Sequence, residues 1–200
     1  TSTQKKIVNN YKELQAWEKS GKTTIKLSDQ IDAVAIENKK AFATKVEKLN
    51  ASYDKLSKGE QALVTSYPRL TYLTPFAKAT GSFYSLKTKS PNYKTDVTTL
   101  LTTINGLNPN VANIEDQTAL QKLRDELLAS VQKLESQLTN ASGVITLIDT
   151  ANGTFTNNND QLLAIQAART AYNDLPKEEQ KLVTNLKTLT ALEKGIKQSL

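Results

Sequence analysis

Between residues 67 and 94 aromatic and basic side chains alternate: Tyr67, Arg69, Tyr72, Lys78, Phe83, Tyr84, Lys87, Lys89, Tyr93 and Lys94. Aromatic rings present a flat apolar face on which sugars can stack, and Lys and Arg heads pair with anions. Arg69, Tyr72, Lys78, Tyr84, Lys87, Lys89, Tyr93 and Lys94 are therefore candidate binding residues for a polyanion that carries sugar rings. The competing reading places the aromatics in a core and the lysines on a solvated face. Charge supports an uneven division of the chain. Residues 1–94 hold 17 Lys/Arg and 8 Asp/Glu, net +9, whereas residues 95–200 hold 9 and 12, net −3. Ten of the twelve aromatics, Trp17 included, also precede residue 95. The expected organisation is a basic, aromatic-rich helical bundle over 1–92 and a second bundle over 93–200. A basic surface of this kind concentrates polyanions around it.

Other chemistries find little support. The chain has no Cys and no His, which removes thiol nucleophiles, disulfides, the usual zinc ligands and the commonest acid–base group. Glu178-Glu179 is an adjacent acidic pair read on a helix, and in a first turn it offsets the helix dipole. No spacing suggests two carboxylates facing across a glycosidase cleft. The twelve residues from Asp149 to Asp160 fail as a calcium loop, because Ala151, Gly153, Thr154 and Asp160 stand where Asp or Asn, Asp or Asn, Gly and Glu are needed. Seven glycines form no phosphate-binding motif. Asn50, Asn140 and Asn152 open glycosylation sequons, read as chance in a chain with 16 Asn. Nucleic acid is disfavoured, since only Arg69, Arg124 and Arg169 supply guanidinium and no recognition module is visible. The expectation is a non-enzyme without cofactor or metal. No apolar run approaches the roughly 18 residues of a membrane span, so no membrane insertion is expected. No leader peptide is read at the start, and with no Met anywhere the chain is expected to be a processed or excised piece of something longer.

The elements that would position these residues are helical throughout, so the fold class expected is all-α. Ile7, Tyr11, Leu14 and Trp17 mark a first short helix, stopped by Ser20-Gly21. Ser28 is the expected cap of a second, whose stripe is Phe42, Val46, Leu49, Tyr53 and Leu56. Ser57-Lys58-Gly59-Glu60 reads as a capping box before a third helix with Leu63, Val64, Tyr67, Leu70 and Leu73. Pro68 and Pro75 would kink or divide it, and Gly81 and Ser90-Pro91-Asn92 read as punctuation. A short helix is expected over 95–104 and a long one over 114–139 with Leu120, Leu123, Leu127 and Val131. Another follows over 141–150, continuous or broken at Ser142-Gly143. Asp160 or Asn159 would cap the next, and Pro176 would open a last helix carrying Leu182, Leu186, Leu189, Leu192 and Ile196.

Two internal matches appear. Tyr53 to Tyr67 aligns with Tyr172 to Leu186 at an offset of 119, sharing Tyr, Leu56/Leu175, Lys58/Lys177, Glu60/Glu179, Gln61/Gln180, Leu63/Leu182, Val64/Val183 and Thr65/Thr184. Val97 to Gly106 aligns with Val144 to Gly153, giving partial repeats over 97–140 and 144–200. Every shared position has a folding role, which favours repeated helical units in one or two elongated three-helix-type bundles. Tyr53 and Tyr172 are expected on the core stripe.

The run Tyr172-Asn173-Asp174-Leu175-Pro176-Lys177-Glu178-Glu179-Gln180, preceded by Val144-Ile145-Thr146-Leu147-Ile148-Asp149, resembles a helical repeat of large exported Gram-positive proteins, of the S-layer and wall-associated type. The likeness covers 144–200 well. It is weaker over 42–73, where Ser57 stands in place of Pro176, and partial over 97–139. It implies a secreted cell-surface protein with a spacer, assembly or wall-attachment role, and it brings no catalytic residues. The partners it implies are anionic wall polymer or neighbouring surface-protein subunits. An adhesin-type helical module binding a host protein is the alternative.

Overall fold

The computed structural model of the protein describes residues 11–199 and is all-helical, 78% helix. Ile7 and the side chain of Ile196 lie outside the described residues. Nine α-helices and no strand occur among those described: α1 Tyr11–Asp32, α2 Lys40–Asp54, α3 Lys58–Gln61, α4 Tyr67–Ser85, α5 Tyr93–Asn105, α6 Ile114–Ala151, α7 Asn158–Asp174, α8 Lys177–Gln180 and α9 Leu186–Ser199. A single 3-10 turn, Pro109–Val111, stands before α6.

Local signals and packing disagree at several points. Helix α1 passes straight through Gly21, and Ser28 is buried inside it instead of capping anything. A helical Gly costs about 1 kcal/mol relative to Ala. Burying Thr24, Leu27 and Ile31 along one face outweighs that. Gly81 likewise lies within α4, and a Cβ placed there would sit 3.5 Å from the Ala43 Cβ. The glycine marks close approach between α2 and α4, not a stop. Helix α6 is continuous through Ser142-Gly143. The two helices expected after Ser57 and Pro176 are each divided, into α3 with α4 and α8 with α9. Asn157, not Asp160 or Asn159, caps α7: its Oδ1 accepts from the Asp160 N–H at 2.8 Å and its Nδ2 donates to Asp160 Oδ2 at 2.6 Å.

The chain forms two compact units, each discontinuous in sequence. The first takes the residues up to Leu86 and then Leu100–Ala129. The second takes Lys87–Thr99 and then the chain from Ser130 onward. Helices α5 and α6 thus contribute to both. In the first unit α2 packs on α4 and α1 lies against both. Leu27, Ile31, Phe42, Val46, Leu49, Leu70, Leu73 and Phe76 are buried there. In the second, Val144, Ile148 and Ala151 of α6 form one core with Ile165 and Ala168 of α7, Val183, and Leu189 of α9.

The same hydrogen bonds recur at the two corners. Gln61 Nε2 donates to the Tyr53 carbonyl at 3.2 Å, and Gln180 Nε2 donates to the Tyr172 carbonyl at 3.2 Å. Leu56 N–H reaches the Tyr53 carbonyl at 3.0 Å, as Leu175 N–H reaches that of Tyr172 at 3.3 Å. Glu60 accepts from Ser20 Oγ of α1 at 2.8 Å; Glu179 accepts from Asn140 Nδ2 of α6 at 3.1 Å. Ser66 Oγ donates to Asp32 at 2.6 Å, and its counterpart Asn185 donates to Asp149 at 2.8 Å. Tyr53 and Tyr172 hold equivalent places beside these corners and both are half-buried, Tyr172 packing against the core of the second unit. The ring of Tyr53 stacks on Tyr67 instead, while Tyr172 lies under the Arg169 guanidinium.

The second sequence match is displaced by nearly one helical turn. At the aligned offset of 47, Leu100 is buried but Leu147 is 40% exposed. Burial instead pairs Val97 with Ala141, Leu100 with Val144, Ile104 with Ile148 and Leu107 with Ala151, all of them buried.

Candidate functional site

Arg69 stands in the first turn of α4, and its side chain is directed inward. Its Nη1 donates to the carbonyls of Ile31 and, at 3.3 Å, Asp32, and Nη2 donates to that of Val34 at 3.1 Å. These carbonyls lie at and just beyond the end of α1, where a cation also meets the negative pole of the helix; that of Ile31 accepts from the Val34 N–H as well, at 3.1 Å. The remaining fork of Arg69 grips Asp116, with Nε to Oδ2 at 2.7 Å and Nη2 to Oδ1 at 2.9 Å. Tyr72, one turn further along α4, donates its hydroxyl to the same Asp116 Oδ2.

Asp116 lies in the first turn of α6, where the helix dipole favours a carboxylate. Its N–H is held by Asn113 Oδ1 at 2.9 Å. Burial works to raise its pKa, but the bonds from Arg69 and Tyr72 together with the Arg69 charge outweigh burial and hold it below the usual value. Burial, followed by the bond to Asp116, pushes the Tyr72 phenol up to about 12. The cluster joins the end of α1, the start of α4 and the start of α6 within the first unit. Arg69 and Tyr72 thus form a structural clamp, with their donors engaged inside the first unit.

The other candidate residues divide. Tyr93 is buried, consistent with a core role. Tyr84 is 42% exposed, meets Phe83 edge-on at 5.3 Å and donates its hydroxyl to the Asn38 carbonyl at 2.6 Å. Lys78, Lys87, Lys89 and Lys94 are exposed. Lys78 and Tyr84 belong to the first unit, and Lys87, Lys89, Tyr93 and Lys94 to the second. The structure brings Arg69 and Tyr72 together, and the eight residues are divided between the two units.

Lys78 does edge an open groove of about 730 Å³ between α2 and α4. Ala43, Ala77 and Gly81 line it with Lys40, Glu47 and Asp54. The second unit has an open groove of about 620 Å³ between α7 and α9, lined by Leu162, Ile165 and Leu192 with Asn158 and Asn159. No group of three or more Asp and Glu side chains among the described residues is placed to hold a metal ion. None of the described helices is long and apolar enough to cross a membrane.

Sequence reasoning missed Asp116 as the partner of Arg69, because 47 residues separate them. One signal was available. Arg is scarce in a Lys-rich chain, and Arg is preferred where a carboxylate is gripped at two points. Arg169 repeats the pattern, with Nε and Nη2 on the Glu193 carboxylate at 2.5 and 2.7 Å.

Comparison of the chain with known protein families, with curated proteins and with solved structures returns no match.

Proposed function

We propose that this chain is a structural helical segment of a bacterial surface-layer or cell-wall-associated protein, made by repeating a three-helix unit and touching anionic wall polymer through its basic first half. In each repeat, a helix from α1 or the later part of α6 precedes α2 or α7, then a one-turn corner helix, then α4 or α9. The observation that carries the reading is the recurrence of the Gln-to-Tyr corner bond, Gln61 to Tyr53 and Gln180 to Tyr172. What is repeated is a helix corner, a unit suited to extending a scaffold.

The polymer contact is supported by charge. The +9 of residues 1–94 is carried mainly by exposed lysines, with Arg69 neutralised internally. Exposed lysines attract a polyanion over a Debye length, about 8 Å at physiological salt and 3 Å at 1 M.

The test is retention of the intact chain on Gram-positive wall sacs before and after extraction of the anionic polymer. The expected result is retention on intact sacs that weakens with salt and disappears on extraction. Equal retention on extracted sacs, or none on either, would remove the polymer contact. The intact chain is the right object, since a cut near Pro91 would separate Leu100–Ala129 from the rest of the first unit.

A further inference from the structure

The two corners act as internal controls for each other. Residues they share are needed to turn the chain; residues they do not share are free to serve something else. Tyr67 and Leu186 occupy the same place, as do Lys55 and Asp174. Leu186 packs against the core of its unit, whereas Tyr67 keeps 38% of its surface exposed. Tyr67 lies flat on Tyr53, ring centroids 3.9 Å apart and planes within 9°. Folding does not demand this pair, because the second corner makes the same Gln-to-Tyr carbonyl bond with a leucine in the place of Tyr67.

The surroundings differ in the same sense. Leu63 is 54% exposed, while its counterpart Leu182 packs on the core. Lys55 and Lys58 are exposed on the turn between α2 and α3, and neither makes an ion pair among the described residues. The nearby Glu60 carboxylate is held by the Ser57 N–H at 2.9 Å, the Ser57 hydroxyl and Ser20, so it is occupied in closing the corner. A stacked aromatic pair whose Tyr67 is exposed and whose Tyr53 is half-buried, on a corner that also carries the exposed Lys55 and Lys58, matches a sugar ring that carries a negative group.

We propose that this first corner, built on Tyr53 and Tyr67 with Lys55 and Lys58, binds a pyranose of an anionic polysaccharide. The inference rests on the polymer contact proposed above and locates it. Rigid tyrosines lose little freedom on binding, which suits a contact repeated along a chain of sugars.

The experiment is calorimetric titration of the intact chain with anionic wall polymer extracted from Gram-positive sacs, with dextran as the neutral control. Two of the variants, Tyr67→Leu and Lys55→Asp, are taken from the second corner, so those residues are ones this fold already accepts. Tyr67→Leu should weaken binding about 5-fold with the melting temperature unchanged. Lys55→Asp should weaken it further and reduce its salt dependence. Tyr67→Phe keeps the ring and should bind like the parent. Full affinity in Tyr67→Leu, with the parent binding, would overturn the corner site and leave the polymer contact standing. Dextran bound as well as the wall polymer would overturn the anionic specificity. No binding by the parent would overturn both.

Discussion

Arg69 holds Asp116 through two parallel bonds, Nε to Oδ2 at 2.7 Å and Nη2 to Oδ1 at 2.9 Å, across 47 residues of chain. Their side chains are 15% and 11% exposed. Removing one member of a buried pair leaves the other charged and desolvated. Asp116→Ala and Arg69→Ala should each cost about 3 kcal/mol in urea unfolding, and the double variant less than the sum. Strict additivity in that cycle would show that the pair is not coupled.

The same cluster should set both ends of the pH profile. The folded Asp116 pKa lies below its ordinary 3.8, so its contribution is present above that value and is lost as pH falls through the folded pKa. The folded Tyr72 pKa of about 12 lies above the ordinary 10.0. Its contribution is complete below about pH 10 and is lost as pH rises toward 12. Tyr72→Phe should flatten that alkaline decline and, because the Tyr72 bond is one of those holding the Asp116 pKa down, make the acid one shallower too, with the Arg69 part of it remaining. Melting temperature measured against pH checks both, and an unchanged alkaline decline would count against the bond to Asp116.

The two corners should respond in the same direction to the same change. Gln61→Ala deletes the bond to the Tyr53 carbonyl, worth about 1 kcal/mol, and Gln180→Ala deletes the matching bond to Tyr172 together with a second, to the Leu175 carbonyl at 3.0 Å, so its loss should be somewhat larger. Amide exchange should quicken at Leu56 in the first variant and at Leu175 in the second. Tyr53→Ala, at a half-buried site, should cost about 1–2 kcal/mol, short of the 3–5 kcal/mol typical of a buried aromatic. A full core-sized loss would mean that the ring is more enclosed than its exposure indicates.

Gly21 and Gly143 lie inside helices with no atom within 4 Å of an added Cβ. Gly21→Ala and Gly143→Ala should each raise stability by up to about 1 kcal/mol. Thermal unfolding tests this, and a loss at either position would imply a break in the helix there.

The amino-acid sequence by itself determined that the chain is helical, where most apolar stripes run, and that the corner at Ser57 recurs at Pro176. Those properties depend on spacing within a few residues, so Val46 and Leu49, or Leu120, Leu123 and Leu127, can be read along the chain. The capping box at Ser57 and Glu60 is of the same kind. Tertiary structure decided what local preference leaves open. Whether Gly21 and Gly81 end a helix depends on the packing of α1 and on the approach of α4 to Ala43, since a cost of about 1 kcal/mol is small beside a buried stripe. Whether Arg69 and Tyr72 face a ligand or the interior depends on Asp116, which only the fold brings near. Likewise the pairing of Val97 with Ala141 in place of Val144 follows burial, because helical faces nearly repeat after three or four residues and sequence identity alone does not choose between adjacent turns.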